Sequence, residues 1–313
     1  MEIVVTGAAG FVGSNLVKAL SLKNHKITCL DALIDTTYSR EIKLSRWEEL
    51  RKLPNLVLVE KDMREGGLET FIENADIIVN LAAMPGLVDS WSNFDLYASC
   101  NVTATHRLLD AHSRINSKAK LVHISTSSVY GRVATGDESS PTIPYSPYGV
   151  TKLAAENLIR AFADNSCLDF NILRYFSVYG PDQRPDMAYS KFVSAIYNDE
   201  TINLYGDGTQ SRTNTYISDC ITATVMTIEA GLTNTIYNIA GLDEVNILAV
   251  ISILEEILGK KAKVNLLPGR TGDQLITKGN IDKLNKDTGF EPLIGIRQGL
   301  ENQVNHFLQK SRS

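Results

Sequence analysis

Tyr148 and Lys152 stand four residues apart in a stretch with helical spacing of apolar residues, Tyr148 to Ala163. Residues four apart share a helix face. A phenol, with an unperturbed pKa of ~10, is a poor base at neutral pH, and an ammonium beside it favours the phenolate. The pair can therefore take a proton from a hydroxyl, and Lys152 has a second use in holding a ribose. A Tyr and a Lys at this spacing also suit an ordinary solvated helix face. The neighbours favour chemistry. Thr126-Ser127-Ser128 directly follows a strand-like run, at the same carboxyl edge as a glycine-rich turn, and its hydroxyls can bind a reacting oxygen.

The glycine-rich turn is Val4-Val5-Thr6-Gly7-Ala8-Ala9-Gly10-Phe11-Val12-Gly13, a strand running straight into the opening of a helix. Gly7 permits the tight turn, Gly10 lets the backbone approach a pyrophosphate, and Gly13 allows helix and strand to pack. With Phe11 and Val12 the segment presents backbone N–H groups and a helix N-terminus, which attract phosphate. A glycine motif alone marks many ordinary strand-to-helix turns. Asp31, ending the next strand, supplies the context. A carboxylate there accepts hydrogen bonds from both adenosine ribose hydroxyls and repels a 2′-phosphate, so NAD is expected rather than NADP. Asp62-Met63 after the third strand and Leu81-Ala82-Ala83 after the fourth lie at the same edge. Asp62 can take the adenine amino group, and the alanines let the dinucleotide lie close to the backbone. Asn101, in a helical stretch, can fix the active-site backbone or a water; it is counted with the cofactor contacts, as is Tyr175 at the end of a later strand.

Such residues need a sheet that brings its strand ends together. Short β-branched runs alternate with longer helical patterns through the first half, as strands joined by crossover helices do. Strands are predicted at Ile3 to Thr6, Lys26 to Asp31, Leu56 to Glu60, Ile77 to Asn80, Leu121 to Ser125 and Phe170 to Tyr175, and helices at Phe11 to Leu22, Asp95 to His112 and Tyr148 to Ala163. Largely apolar strands imply burial on both faces, and right-handed crossovers give a doubly wound parallel sheet of Rossmann type. After Tyr175 the texture breaks at Gly180, Pro181 and Pro185, then resumes with a helical run near Lys191 to Tyr197 and a Gly206-Asp207-Gly208 turn. The expected class is α/β. Residues 1–175 form the NAD-binding domain, and residues 176–313 are mainly a smaller α/β substrate-binding lobe, interleaved with the last elements of the sheet.

Composition narrows the partners. The 313 residues carry a net charge of -5 with 43% apolar and 21% charged residues, which suits a globular protein and offers no basic stripe for nucleic acid. Four dispersed cysteines, Cys29, Cys100, Cys167 and Cys220, suit reduced thiols, and five histidines form no ligand pair, so no metal site is expected. No run reaches the ~18 apolar residues of a membrane span, and the first strand follows Met1 too closely for a signal sequence, so a cytoplasmic protein is expected.

GAAGFVG, LAA, ISTSSVYG, SPYGVTK, LRYFSVYGP and YGDGTQSR follow one another in an order that resembles the extended short-chain dehydrogenase/reductase family, and within it the nucleotide-sugar epimerases and dehydratases. The resemblance spans most of the chain. It implies Tyr148 as base, Lys152 as its electrostatic partner and Thr126 as the hydroxyl completing a triad. It also implies that Arg212 and Arg270 grip the nucleotide diphosphate, with Asp273 beside them in the substrate site. Guanidinium groups fork onto phosphate oxygens, although surface arginines are common. A homodimer is implied too, in which the helices Asp95 to His112 and Tyr148 to Ala163 pair with their copies. Leu108, Leu109, Leu153, Leu158 and Ile159 offer apolar material for it, which an intramolecular core would use equally well.

The family's dehydratases usually carry an Asp-Glu pair directly after the active-site threonine, where this chain has Ser127 and Ser128. Without that acid and base, expulsion of a hydroxyl loses its means, whereas epimerisation needs only a hydride removed and returned to the opposite face. The subgroup most resembled is the UDP-glucuronate 4-epimerases, through ISTSSVYG, SPYGVTK and VYGPDQRPDMA. It implies that Thr126, Ser127, Ser128 and Ser177 hold the sugar carboxylate with Arg184 nearby. Two positions depart from the subgroup: Gly86-Leu87-Val88-Asp89 stands where Gly-Val-Arg is usual, and Arg212-Thr213-Asn214 where Arg-Asp-Phe is usual. UDP-glucose or UDP-N-acetylglucosamine 4-epimerase, UDP-glucuronate decarboxylase and a catalytically silent NAD-binding regulator stay open beside the expected reaction, UDP-glucuronate to UDP-galacturonate through a 4-keto intermediate.

Overall fold

The computed structural model describes residues 1–311. Strands form at Glu2–Thr6, Lys26–Asp31, Leu56–Glu60, Ile77–Asn80, Lys120–Thr126 and Phe170–Tyr175, within a residue of the six that the pattern predicts, and a seventh at Thr235–Ile239 joins them. All pair in parallel. In space the order is Thr235–Ile239, Phe170–Tyr175, Lys120–Thr126, Ile77–Asn80, Glu2–Thr6, Lys26–Asp31, Leu56–Glu60, so the chain starts in the middle and winds outward in both directions. Ligands of such sheets bind outside the carboxyl ends where the order reverses. Here that point lies between Glu2–Thr6 and Ile77–Asn80. Thr6 pairs with Asn80 and with Leu30, and Thr126 with Tyr175, so the loops that follow these strands open on one edge.

The three strands Ile77–Asn80, Lys120–Thr126 and Phe170–Tyr175 are buried along their whole length, as helices on both faces require. On one face Leu16, Val17 and Leu20 of the helix Phe11–Ser21 pack with Cys220 and Ala223 of the helix Ile217–Glu229. On the other, Leu68, Ile72, Leu108, Leu109 and Ile159 form a second core. Leu108, Leu109 and Ile159 thus belong to the chain's own interior, with no apolar surface left for a partner; Leu153 and Leu158 are partly buried against the same protein.

The helix expected from Asp95 to His112 is three pieces: a turn at Phe94–Tyr97, a π-helical segment at Ala98–Thr103 and an α-helix at Ala104–Arg114. A π segment inserts an extra residue and re-aims the side chains around it. The helix Pro147–Asn165 starts sharply. Pro147 stands in its first turn, where no N–H is needed, and the Ser146 hydroxyl accepts from Gly149 N at 3.1 Å. That start puts Tyr148 at the helix mouth.

Beyond Tyr175 the chain both completes the sheet, through Thr235–Ile239, and builds smaller layers. A four-stranded sheet of Glu244–Asn246, Ser211–Thr213, Ile276–Thr277 and Val133–Ala134 carries Arg212, and the strand Thr201–Tyr205 pairs with Lys263–Leu267. Among the described residues no helix is long and apolar enough to cross a membrane, and no group of His, Cys, Asp and Glu has a metal-binding arrangement.

Candidate active site

A single cavity of about 830 Å³ runs along the carboxyl edge of the sheet. Its wall holds every residue expected at the site except Asn101. At one end is the glycine turn. Gly7 has φ +68°, a conformation open to glycine, and a Cβ there would stand 2.8 Å from Ala82 N; a Cβ on Gly13 would stand 2.2 Å from Gly7 O. The helix Phe11–Ser21 therefore meets the turn at backbone distance. Gly10 is its N-cap and no side chain caps it, which leaves first-turn N–H groups facing the cavity.

Asp31 is buried at the end of its strand, and its carboxylate accepts from Ala9 N and Leu33 N, each at 2.9 Å. Burial pushes the carboxyl up, opposed by these two donors and by the charges of Lys43 and Arg46. Asp62 lines the cavity, but its oxygens are closed on Arg64: Nε lies 3.0 Å away, and the Arg64 contact holds the carboxyl below its usual range. Its expected contact with an adenine amino group would have to compete with that pair. Met63, Leu81, Ala82 and Ala83 complete this end.

Asn101 stands behind the wall. It is buried in the π segment, with Oδ1 accepting from Met84 N at 2.7 Å and Nδ2 donating to Met84 O at 3.1 Å and to Thr151 Oγ1 at 3.0 Å. Of its two expected uses, the structure shows the fixing of active-site backbone. It clamps the loop after Ile77–Asn80 to the helix that carries Tyr148, and it is buried outside the cavity lining.

At the middle of the cavity the expected triad converges. Thr126 ends its strand and its hydroxyl accepts from Ser128 N at 3.2 Å, which turns Ser127 and Ser128 onto the cavity wall. The Tyr148 phenol is pushed up by burial and drawn back by its hydrogen bond with Thr126 and by the Arg184 charge. Lys152 is placed differently from the simplest expectation. Its ammonium donates to Ile124 O at 2.6 Å and lies 3.3 Å from His123 Nε2, so the cation pulling on the phenol is Arg184. Burial lowers the Lys152 ammonium to about 8, against the charge of Glu156 one turn further on.

The Tyr175 ring lines the cavity while its hydroxyl turns away, 2.7 Å from Thr224 Oγ1. Ser177 lines the wall nearby. Arg184 is bidentate to Asp186, at 3.0 and 2.7 Å. At the far end Arg212 donates to Ser211 O at 2.9 Å, to Leu275 O at 3.0 Å and to Gln274 O, and Arg270 stacks 3.3 Å above the Tyr205 ring centre. Burial pushes the Asp273 carboxyl up, and the charges of these two cations oppose it.

Several wall residues escaped the sequence reading. Tyr38 and Lys43 line the cavity, Arg46 lies against them, and Lys43, Arg46 and Arg184 sit 5.1, 5.5 and 5.9 Å from the Tyr38 ring centre. The signal was thin: the helix Arg40–Arg51 buries Lys43 and Arg46 beside Trp47 and Leu50, so its inward face reads as charged. The donor set fits a dinucleotide. The glycine cradle admits no side chain, and the buried Thr36 and Thr37 hydroxyls have no partner within the protein.

Comparison with known proteins agrees with this geometry. The model of the NAD dependent epimerase/dehydratase family matches residues 3–240. A Bacillus subtilis protein, the uncharacterized UDP-glucose epimerase YtcB, is 36% identical over 308 residues, covering 97% of each chain. The UDP-glucuronate 4-epimerase of Thermodesulfobacterium geofontis is 35% identical, over 96% of this chain and 94% of its own. The crystal structure of UDP-glucuronic acid 4-epimerase from Bacillus cereus, in complex with UDP-glucuronic acid and NAD, superposes with a TM-score of 0.95 at 36% identity, over 99% of this chain and all of that one.

Proposed function

Since the chain belongs to the NAD dependent epimerase/dehydratase family, we propose that it is an NAD-dependent 4-epimerase of a UDP-sugar that interconverts UDP-glucuronate and UDP-galacturonate. The observation that carries this reading is the convergence of Tyr148, Thr126 and Lys152 on one cavity, with Ser127 and Ser128 standing where a hydroxyl-expelling acid pair would be needed. The relatives named for this reaction support it.

NAD fits the glycine turn, Asp31 and the wall from Met63 to Ala83, and when bound it supplies the hydride acceptor and donor for C4. The protein's own part is proton transfer and positioning. Tyr148 takes the C4 hydroxyl proton as its phenolate and gives it back after the 4-keto sugar has turned over. Thr126 steadies the phenolate through their hydrogen bond, and the Arg184 charge adds to it. Lys152 holds the nicotinamide ribose. Arg212 and Arg270 take the diphosphate, which requires Arg212 to exchange its carbonyl partners for phosphate oxygens. Thr126, Ser127, Ser128 and Ser177 meet the sugar's C6 substituent through hydroxyls; this avoids a rigid grip that would favour loss of carbon dioxide from a β-keto acid.

A neutral UDP-hexose is the second reading, because Asp186 already occupies the Arg184 fork beside the sugar site. A panel of UDP-sugars followed by product NMR decides between them. UDP-glucuronate labelled with deuterium at C4 should give UDP-galacturonate that keeps the label. Loss of label to solvent contradicts the mechanism, a pentose product signals decarboxylation, and turnover of UDP-glucose alone transfers the mechanism to the second substrate. The pairing of two copies through the helices around Phe94 and Val150, both exposed, is our proposal for the assembly, to be tested by light scattering at micromolar concentration. A cytoplasmic setting is proposed with it, consistent with the four free cysteines.

A further inference from the structure

His123 is buried in the central strand Lys120–Thr126, 1% exposed, and the mechanism above gives it no task. One ring nitrogen, Nε2, is the group 3.3 Å from the Lys152 ammonium. The other, Nδ1, lies 3.1 Å from the side-chain amide of Asn80. The amide oxygen accepts from Thr6 Oγ1 at 2.8 Å, and Thr6 Oγ1 in turn accepts from Ala82 N at 3.1 Å. Thr6 precedes the glycine turn and Ala82 lines the cavity, so a buried polar chain crosses three strands beneath the cavity floor. It joins both cofactor loops to the lysine.

The proton positions in this chain follow from Lys152. An ammonium has three N–H donors and no lone pair. Facing it, Nε2 must be bare, and the single ring proton sits on Nδ1. Asn80 stands with Oδ1 accepting from the Thr6 hydroxyl and Nδ2 facing Nδ1, so a proton on Nδ1 requires the amide to turn over and meet Nδ1–H with its oxygen, an exchange that keeps the shape because the two ends of an amide are nearly alike. Burial keeps the ring neutral, holding His123 well below the ordinary imidazole value, and the Lys152 charge acts in the same direction.

We propose that His123 is a positioning residue for the epimerisation: its bare Nε2 and the Ile124 carbonyl hold two of the three Lys152 protons, leaving the third for the cofactor ribose. The inference rests on the reading of Tyr148 and Lys152 given above. The groups that bear on Lys152 are Glu156 on its own helix, His123 and Ile124 O from the strand Lys120–Thr126, and, through its pair with Glu156, Arg174 on the next strand; Tyr148 stands one turn earlier on the same helix. Removing the Nε2 lone pair takes away one of the two acceptors that stabilise the charged lysine. The ammonium then loses its proton at lower pH, so the alkaline fall of kcat moves downward.

The test uses NAD-loaded His123→Leu and His123→Gln. Leucine fills the space without an acceptor, while glutamine offers an amide oxygen. His123→Leu should lower kcat at pH 8 by about tenfold or more, with KM for UDP-glucuronate nearly unchanged, and move the alkaline limb down by about one pH unit. NAD recovered after denaturation should match the parent protein. His123→Gln should restore most of the limb. A lower melting temperature with both limbs of the profile in place means a packing role only and overturns the proposal, as does an unaltered kcat. Should His123→Leu fail to fold, the parent protein and His123→Gln still decide. Imidazole 15N NMR of the parent must show a neutral ring with its proton on Nδ1 from pH 6 to 8; a proton on Nε2, or a His123→Gln profile shifted as far as expected for leucine, overturns it. Tyr148→Phe assayed alongside separates the two levels. If that variant stays active the functional reading itself fails, and if it is dead while His123→Leu is normal, only the role of His123 falls.

Discussion

Glu156 and Arg174 close a bidentate pair in the protein interior, with Arg174 Nη2 2.8 Å from Oε2 and Nε 3.1 Å from Oε1, both side chains at most 1% exposed. Glu156 lies one turn beyond Lys152, and Arg174 lies on the strand that ends at Tyr175, so the pair fastens the helix of the proposed base to the sheet beneath the cavity. Ser125 and Tyr130 hydroxyls bond to the same two groups. The position of that helix is thus held by an ion pair that lies outside the cavity lining.

Breaking that pair from one side should be costly. Glu156→Gln leaves a buried guanidinium without its counter-charge, a change that costs ~3–5 kcal/mol in comparable buried pairs. The melting temperature should fall steeply. The double variant Glu156→Leu with Arg174→Met removes both charges and should lose less stability than the sum of the two single changes. Strict additivity of the three denaturation midpoints would show that the pair is not coupled.

Asp31 makes a narrower prediction about the cofactor. Asp31→Asn keeps the side-chain shape and one acceptor for the Ala9 and Leu33 amides but removes the charge proposed to receive ribose hydroxyls. NAD affinity should fall by about tenfold, the order of one charge-assisted hydrogen bond, and the preference over NADP should narrow as a repulsive charge disappears. Calorimetry on protein stripped of NAD measures both, and equal NAD affinity in the two proteins would take Asp31 out of the site.

Lys152 ties stability to pH. Its ammonium is lowered from 10.5 to about 8 by burial, so between those two values the unfolded chain binds more protons than the native one. Stability from this group therefore rises with pH from about 8 to 10.5, the opposite of a lysine that gains a partner. Lys152→Met replaces the buried charge by an apolar chain of similar length. Its melting temperature relative to the parent should be most favourable at pH 7 and lose ground at pH 9.5. A difference independent of pH would mean that the native lysine is not depressed.

How much of this was legible follows from range. The six strands announce themselves through apolar β-branched runs, and Tyr148, Lys152, Thr126 and the glycine turn through spacing on single elements. Thr235–Ile239 was harder, being a five-residue run whose place is fixed by pairing with Phe170–Tyr175, far off in sequence. Asn101 was recognisable as an unusual residue, yet its depth depends on the π segment around it, which has no simple sequence period. The Lys152 contact with Ile124 and His123 was hidden as well, because helical periodicity gives a side chain's face and not the strand carbonyl that it meets.

Tyr148 and Thr126 carry the last prediction. Tyr148→Phe deletes the proton acceptor and leaves the ring, whose edge packs against Tyr97 with centroids 6.2 Å apart, so folding and ligand binding should persist. Loss of a general base typically lowers the rate by ~10²–10⁴. Thr126 acts on the same phenol by hydrogen bonding, and its hydroxyl also caps the turn at Ser127–Tyr130 through Ser128 N. Thr126→Val loses both. It should cost ~1 kcal/mol of stability from the lost cap, and it should move the acid limb of kcat upward, because the phenol, already raised by burial, loses the bond that lowers it. Thr126→Ser keeps the hydroxyl and should retain the limb, which separates the bond to the phenol from the methyl group's packing. A Thr126→Val profile that overlays the parent, scaled by a constant factor, would show that Thr126 does not set the proton affinity of Tyr148.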